Sequence, residues 1–430
     1  MTHLSESEIL TASDDHPHLA GCDPCRGRVV DFRKFTKTLR APRVWIAEDP
    51  QMLPRSPRRS IVDRAALLEE EEDEAAPATA ALVADPSGAD AILARFAPTA
   101  GLLHAVLEAA HALLQTNPEK ALEVTRAAAA LAARLDWSAY PDVVAATGRG
   151  RIHKEAANAL RHLGRHDDGL AAAEAAIREY EGGIATDHQI AVADYIAASI
   201  LREKGSLDDA LARVKRAAGV FGDFGDAERL MHCRMLEAVI TAAAGRQREA
   251  RDLLLVLLPE AQAELSLRAQ IHNNIGQLSI ELGDADLAGP HLLQALVLYR
   301  ELGMTREEIR TNWGVAKLLE RGGKAAEARA RFVEAEQAFL GIGMEIEAAL
   351  VALDRIEAEL ASSASADTAA ECRQLHETFR DRGLTANALA ALAYLSESLA
   401  DGAAARPALT RVRSYLERLP AEPALLFLEI

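Results

Sequence analysis

The chain has few aromatic residues, few cysteines and no long apolar run, and its basic residues are outnumbered by acidic ones. Aromatic residues make up 4% of its 430 residues, so a sheet would have few of the aromatic side chains that strands favour. Alanine and leucine dominate instead, and both are strong helix formers. The composition therefore predicts an all-α fold.

The charge balance bears on the kind of partner. The formal net charge is −17, whereas nucleic-acid binding draws much of its affinity from Lys and Arg that neutralise phosphates. We therefore expect protein partners and no direct contact with nucleic acid. No apolar run reaches the roughly 18 residues of a membrane span, and the start, MTHLSESEIL, does not resemble a signal peptide. The sequence thus predicts no membrane partner and a cytoplasmic location.

The four cysteines are too few and too unevenly spread to form a disulfide framework in a chain of this length. Cys233 and Cys372 each stand alone in helix-like sequence, where we expect small buried apolar side chains. Cys22 and Cys25 form a pair. The sequence contains no phosphate-loop, zinc-protease or nucleophile-elbow motif. We therefore predict that the chain is not an enzyme.

Composition divides the chain into three regions. Residues 1–41 contain the Cys pair and several histidines, residues 42–100 are rich in proline and contain an acidic run, and residues 101–430 show helical periodicity. The middle region is predicted to be a flexible linker, because its prolines and like charges disfavour a packed core. We interpret the acidic run, residues 69–74, as solvated chain.

An internal repeat in residues 101–430 is marked by two sets of glycines. The first set recurs about every 40 residues, a period within the range of helical repeats, and consists of Gly164, Gly205, Gly245, Gly283 and Gly323. The second set recurs at the same interval and consists of Gly303, Gly343 and Gly383. Two glycines per period predict two helices and two turns, because glycine adopts the left-handed conformation that ends a helix. We expect an α-solenoid of about eight such hairpins.

Residues 157–160 (ANAL) and 163–170 (LGRHDDGL) resemble tetratricopeptide repeats. The resemblance covers residues 101–430 and implies a concave face that recognises a protein or a peptide. The period of about 40 residues exceeds the roughly 34 of that family, so the helices are expected to be longer by about a turn.

His18, Cys22 and Cys25 form an H-x3-C-x2-C array. Imidazole and thiolate ligands at this spacing suit a tetrahedral structural Zn²⁺ site, which needs four ligands and leaves no open position for catalysis. His3 and His16 are the candidates for the fourth ligand. We prefer His3, because His16 lies so close to His18 in the sequence that it would strain the chelate. The alternative is an ordinary helical turn with two thiols and a histidine that faces solvent.

The array, its upstream histidine and the amphipathic segment that follows resemble the zinc-binding anti-sigma-factor domain of bacteria. The resemblance covers about forty residues and implies a bacterial regulator that binds a sigma factor through residues 1–41. The stretch between His3 and His18 is shorter than that family usually has, so the intervening helix is expected to be truncated. Residues 26–40 carry one apolar face that either covers the zinc core or receives a partner: Val29, Phe32, Phe35 and Leu39.

These features favour an anti-sigma-type regulator whose repeat domain senses a protein or a peptide. The alternative is a scaffold or adaptor in which the zinc module is a structural or docking element. Thiol-based sensing through zinc-bound thiolates is a third hypothesis.

Overall fold

The structure is a computed structural model of the chain. It describes residues 16–22, 25–27, 29–30, 71–72, 74–140, 142–183, 186–361, 368–381, 386–401, 405–419 and 427. Its internal contacts divide the chain into two compact units, Met1–Leu67 and Leu68–Ile430. Across the described residues the secondary structure is helix and turn, without strands. The predicted all-α fold is confirmed.

In the first unit, α1 covers Pro17–Gly21, and residues 25–27 and 29–30 are also helical. The helices of the second unit, in chain order, are α2 (Ala76–Ala84), α3 (Ala89–Leu93), α4 (Ala100–Leu113), α5 (Pro118–Ala132), α6 (Asp142–His162), α7 (His166–Glu181), α8 (Asp187–Glu203), α9 (Leu207–Phe224), α10 (Ala227–Ala243), α11 (Gln247–Leu257), α12 (Leu265–Glu281), α13 (Ala285–Glu301), α14 (Thr305–Arg321), α15 (Ala325–Gly341), α16 (Glu345–Ala361), α17 (Thr368–Asp381), α18 (Ala386–Asp401) and α19 (Ala405–Arg418). Short 3₁₀ helices cover Trp137–Ala139 and Glu260–Gln262.

The predicted hairpins are present from α4 onward, and the described helices pair into eight of them. Helices α12 to α16 are equal in length and begin at equal intervals, which explains the regular period of the glycines. The glycines of the first set end the first helix of a hairpin with φ between 69° and 80°. At Gly164, for example, the backbone N–H of Arg165 donates to the Leu160 carbonyl and that of Gly164 donates to the Arg161 carbonyl. These two hydrogen bonds supply donors to carbonyls that would otherwise lack a partner at the helix end.

Small residues let the two helices of a hairpin approach closely. A Cβ at Gly276 of α12 would lie 2.6 Å from the Leu292 side chain of α13. The buried side chains form a series of local clusters along the repeat, and each cluster joins neighbouring helices. This arrangement is typical of a solenoid, in which each hairpin buries its apolar face against the next.

The first helices of successive hairpins form one layer, which we call the first-helix layer. It runs through α4, α6, α8, α10, α12, α14 and α16, each of which contacts the next. The second helices of successive hairpins have fewer contacts with one another. The first-helix layer is therefore the concave side of the repeat. At its end the arrangement changes, since α16 packs against α19, the second helix of the last hairpin.

The linker prediction for residues 42–100 is wrong in its last part. Helices α2 and α3 lie there, and Leu82 and Leu93 are buried in one cluster with Leu103 of α4. Glu71, from the acidic run, accepts hydrogen bonds from the Gly101 backbone N–H (2.9 Å) and from the Tyr140 hydroxyl (2.8 Å). The alanine-rich helices lack a pronounced apolar stripe, and their burial depends on contacts with α4 that composition does not reveal. Residues 42–70 lie outside the described residues.

Phe427 packs over the last hairpin, with its ring centroid 5.3 Å from that of Tyr394 and 5.4 Å from that of Tyr415.

Cys233 and Cys372 are fully buried, as expected for small apolar side chains. Among the described residues, no helix combines the length and hydropathy needed to cross a membrane.

Candidate functional site

The structure brings three of the four predicted metal ligands together. The side-chain ligand atoms of His18, Cys22 and Cys25 all lie within 4.8 Å of one another. Helix α1 carries His18, and Pro17 occupies its first turn, where a missing N–H costs nothing. Cys22 follows the helix directly and has an extended backbone (φ −134°, ψ 94°), which ends the helix at that residue.

The surroundings of this cluster are apolar, and one arginine hydrogen-bonds to the adjacent end of α1. Cys25 is fully buried, and Leu19 and Val29 pack against the two cysteines. The Arg26 guanidinium donates to the carbonyls of Leu19 (3.0 Å) and Ala20 (3.2 Å), which are carbonyls at the end of α1. Arg26 thereby holds the helix end from which Cys22 projects.

The donor set fits a structural zinc ion. The Nε2 atom of His18 is buried and has no hydrogen-bond partner among the described residues. A buried imidazole nitrogen normally has a partner, and a metal ion would supply one. Two thiolates and an imidazole around one point match the chemistry of tetrahedral zinc sites.

Two histidines are candidates for the fourth ligand. His3 lies outside the described residues, as do Phe32, Phe35 and Leu39 of the predicted amphipathic segment. His16 caps α1, because its Nδ1 accepts the backbone N–H of His18 at 3.3 Å. That bond uses one of its two ring nitrogens.

A second candidate site, which sequence reasoning missed, lies in the first-helix layer of the repeat. We call it the carboxamide stripe: Gln270, Asn273, Asn274 and Gln277 of α12. Their spacing places them on one face of the helix, and all four are partly exposed. Three of them line a cavity of about 290 Å³ together with Tyr299, Met304, Glu307 and Arg310.

Contacts with both neighbouring first helices hold the stripe in position. Asn273 accepts the Thr311 hydroxyl of α14 at 3.1 Å, and the Asn274 amide nitrogen lies 4.0 Å from the Met235 sulfur of α10. Gln277 lies against Gly314 of α14, where a Cβ would come within 2.1 Å of the amide nitrogen. The glycine therefore makes room for the glutamine side chain.

The stripe differs from the matching positions of the adjacent first helices. Counted back from the glycine that ends each helix, those positions are His232, Met235, Leu236 and Val239 in α10, and Arg310, Trp313, Gly314 and Lys317 in α14. All four positions of this face are thus carboxamides in α12, whereas none of the matching positions is a carboxamide in α10 or α14. This departure from the repeat was the signal available in the sequence, and aligning the hairpins by their glycines reveals it.

Charged residues border the cavity on the α14 side. Arg306 and Arg310 both approach one carboxylate oxygen of Glu347, at 3.5 and 3.6 Å. Burial and the neighbouring Arg306 lower the pKa of Arg310. Glu347 therefore holds two guanidinium groups on the side of α14 that faces α16.

A histidine pair joins α12 to α13 near the stripe. The Nδ1 atoms of His272 and His291 lie 2.9 Å apart. Burial, followed by the neighbouring His291, lowers the pKa of His272 to about 4, and burial lowers the pKa of His291. The sequence analysis did not anticipate that these two histidines would meet.

No family model matches this sequence, and no curated protein matches it. The structure is similar to the apo form of the quorum sensor NprR from B. thuringiensis, with a TM-score of 0.56 and 14% identity, over 81% of this chain and 98% of that one. It is also similar to aspartyl phosphate phosphatase F from Bacillus subtilis, with a TM-score of 0.53 and 12% identity, over 88% of this chain and 87% of that one. At this level of identity the likeness concerns the fold, a tetratricopeptide-like helical repeat.

Proposed function

We propose that the chain is a regulatory protein whose repeat unit senses an extended peptide at the carboxamide stripe. The stripe is the observation that carries this proposal. A carboxamide offers both a donor and an acceptor, which is what a peptide backbone in extended conformation presents at each residue. Gln270 and Gln277 lie two helical turns apart, or about 10 Å along the helix. That length matches about three residues of extended chain.

The fold is compatible with this role. Helical-repeat solenoids use extended concave surfaces for binding, and the stripe lies on the concave layer of this one. The similar protein NprR is described as a quorum sensor, and a peptide sensor is one form of such a regulator. We further propose that neither candidate site is catalytic.

For the first unit, we propose a structural zinc ion held by His18, Cys22 and Cys25, with His3 as the fourth ligand. The ion would supply folding free energy to a segment too short for a core of its own. The anti-sigma resemblance of residues 1–41 suggests a sigma factor as the partner of this unit. The rival proposal is a scaffold in which the zinc module docks other proteins.

Peptide binding is tested with heptapeptides selected from a random phage-displayed library on the full-length protein. Fluorescence anisotropy then measures the affinity of the selected peptides for wild type, Gln270→Ala and Asn274→Ala. Each substitution removes the hydrogen bonds between one carboxamide and the peptide backbone, and it is expected to weaken binding about fivefold to tenfold. Gln337→Ala is the matched control, because Gln337 is an exposed carboxamide of α15, a second helix. Equal affinities for all four proteins would refute the proposed site.

The zinc proposal is tested by metal content. Mass spectrometry of the purified protein is expected to find one zinc ion per chain, lost in Cys22→Ser and in His3→Ala and retained in His16→Ala. Retention in His3→Ala with loss in His16→Ala would assign the fourth ligand to His16. The same samples are then tested for capture of sigma factors, which should depend on the metal. Capture that persists in Cys22→Ser would favour the scaffold.

A further inference from the structure

The cavity beside the carboxamide stripe is rich in hydrogen-bond acceptors. The amide nitrogen of Gln270 donates to the Ser266 hydroxyl at 3.3 Å, and that of Asn274 is turned toward the Met235 sulfur. The contacts of the two amide nitrogens fix the orientation of both side chains, and the amide oxygens remain as acceptors. The Asn273 oxygen accepts one bond, from Thr311, and has a second lone pair.

A carboxylate completes this set of acceptors. Glu307 lines the cavity, and its side chain has no ion-pair or hydrogen-bond partner in the described part of the chain. Arg310 also lines the cavity and interacts electrostatically with Glu307, but its guanidinium and that of Arg306 both approach the Glu347 carboxylate, at 3.6 and 3.5 Å. The floor of the cavity includes Tyr299, which is 2% exposed and whose pKa is raised by its burial and by the Glu307 carboxylate.

We infer that this cavity binds a primary ammonium group of the ligand, with Glu307 as its counter-ion. This inference rests on the proposed peptide-binding role of the carboxamide stripe. An ammonium group has three donors and no acceptor, which matches one carboxylate and the oxygens of Gln270 and Asn274. Hydrogen bonds to charged groups are stronger than those between neutral groups. The ammonium group therefore fixes the orientation of the peptide along the carboxamide stripe. The ammonium belongs either to a lysine side chain or to a free N-terminus.

The inference is tested first without a peptide. n-Butylammonium and neutral butan-1-ol are titrated into the full-length protein, and binding is followed by saturation-transfer NMR. We expect butylammonium to bind at least about tenfold more tightly than butanol, and Glu307→Gln to remove that difference. Glu308→Gln is the matched control, since Glu308 is the adjacent carboxylate and is paired with Arg300 at 2.6 Å. Equal binding of the two probes, or an equal effect of the two substitutions, would overturn the inference.

The source of the ammonium is then determined with the selected heptapeptides. Acetylation of the N-terminus and replacement of each lysine by norleucine are made separately, and affinity is measured for wild type and Glu307→Gln. The change that weakens binding about tenfold to wild type, and not to Glu307→Gln, identifies the group. If neither change affects binding, the inference is refuted while peptide binding stands. If the library gives no binder but butylammonium still depends on Glu307, the peptide proposal fails and the ammonium site stands.

Discussion

Replacing Gly150 by alanine should destabilise the repeat, although alanine is the better helix former. Gly150 is buried in α6, and a Cβ there would lie 2.2 Å from the nearest ring carbon of Tyr180 in α7. Tyr180 is 2% exposed and lies in a cluster of buried residues with Ala176 and Ala193, so a shift of its ring would disturb that packing. Helix propensity favours the substitution by about 1 kcal/mol, whereas overpacking a core costs about 1–3 kcal/mol. A contact this short lies at the upper end, so we expect a net loss of about 2 kcal/mol.

Gly219→Ala is the matched control. Gly219 lies inside α9, where a Cβ would meet nothing within 4 Å. The substitution should stabilise the protein by about 1 kcal/mol, because only helix propensity changes. The two alanine variants should therefore differ by about 3 kcal/mol, although the backbone change is the same.

Urea unfolding followed by circular dichroism gives the midpoints of both variants. Repeat proteins lose their hairpins in parts, so hydrogen exchange of the α6 and α7 amides should report the local change directly. Shrinking the partner, as in Gly150→Ala with Tyr180→Leu, should recover part of the loss, since residues in contact are coupled. A Gly150→Ala protein as stable as Gly219→Ala would refute the steric argument.

Three further predictions concern pH, a helix end and the acidic run. Because the folded pKa of His272 is about 4, below the ordinary value of 6.5, the unfolded chain binds the proton more readily. The contribution of His272 to the free energy of unfolding should be constant above pH 6.5 and fall as the pH drops toward 4, by less than about 1.4 kcal/mol per pH unit since the ring is half-exposed. His272→Gln should reduce this slope in urea titrations. Gly283→Ala should cost about 1 kcal/mol in the same assay, because φ is +76° there. Glu71→Ala should remove the hydrogen bonds that Glu71 accepts from the Gly101 N–H at the start of α4 and from the Tyr140 hydroxyl, and raise hydrogen exchange of the Gly101 amide at least about tenfold; an unchanged exchange rate would contradict that role.

Much of the repeat was predictable from local sequence. A glycine with positive φ acts within one turn of chain, so its position in the sequence directly locates the end of a helix. The helix lengths follow from the spacing of these glycines. The cysteine and histidine spacing likewise predicted that His18, Cys22 and Cys25 would converge, because their two intervals span one helical turn and one tight turn.

Other features depended on contacts between distant parts of the chain. The alanine-rich segment 76–93 carries no sequence signal for burial, and its helices are ordered by packing against α4. The carboxamides of α12 look like ordinary surface residues until the hairpins stack and place that helix between α10 and α14. Glu71 was expected to be solvated chain, yet it accepts two hydrogen bonds from residues 30 and 69 positions away.

The sequence by itself determined that this protein is an array of helical hairpins, and it identified a cysteine and histidine cluster suited to a metal. Both depend on spacings no longer than one hairpin. Only the tertiary structure decided which helix faces form the concave layer and which polar groups there have partners. Those properties depend on how each hairpin packs against the next, and a single helix does not contain that information.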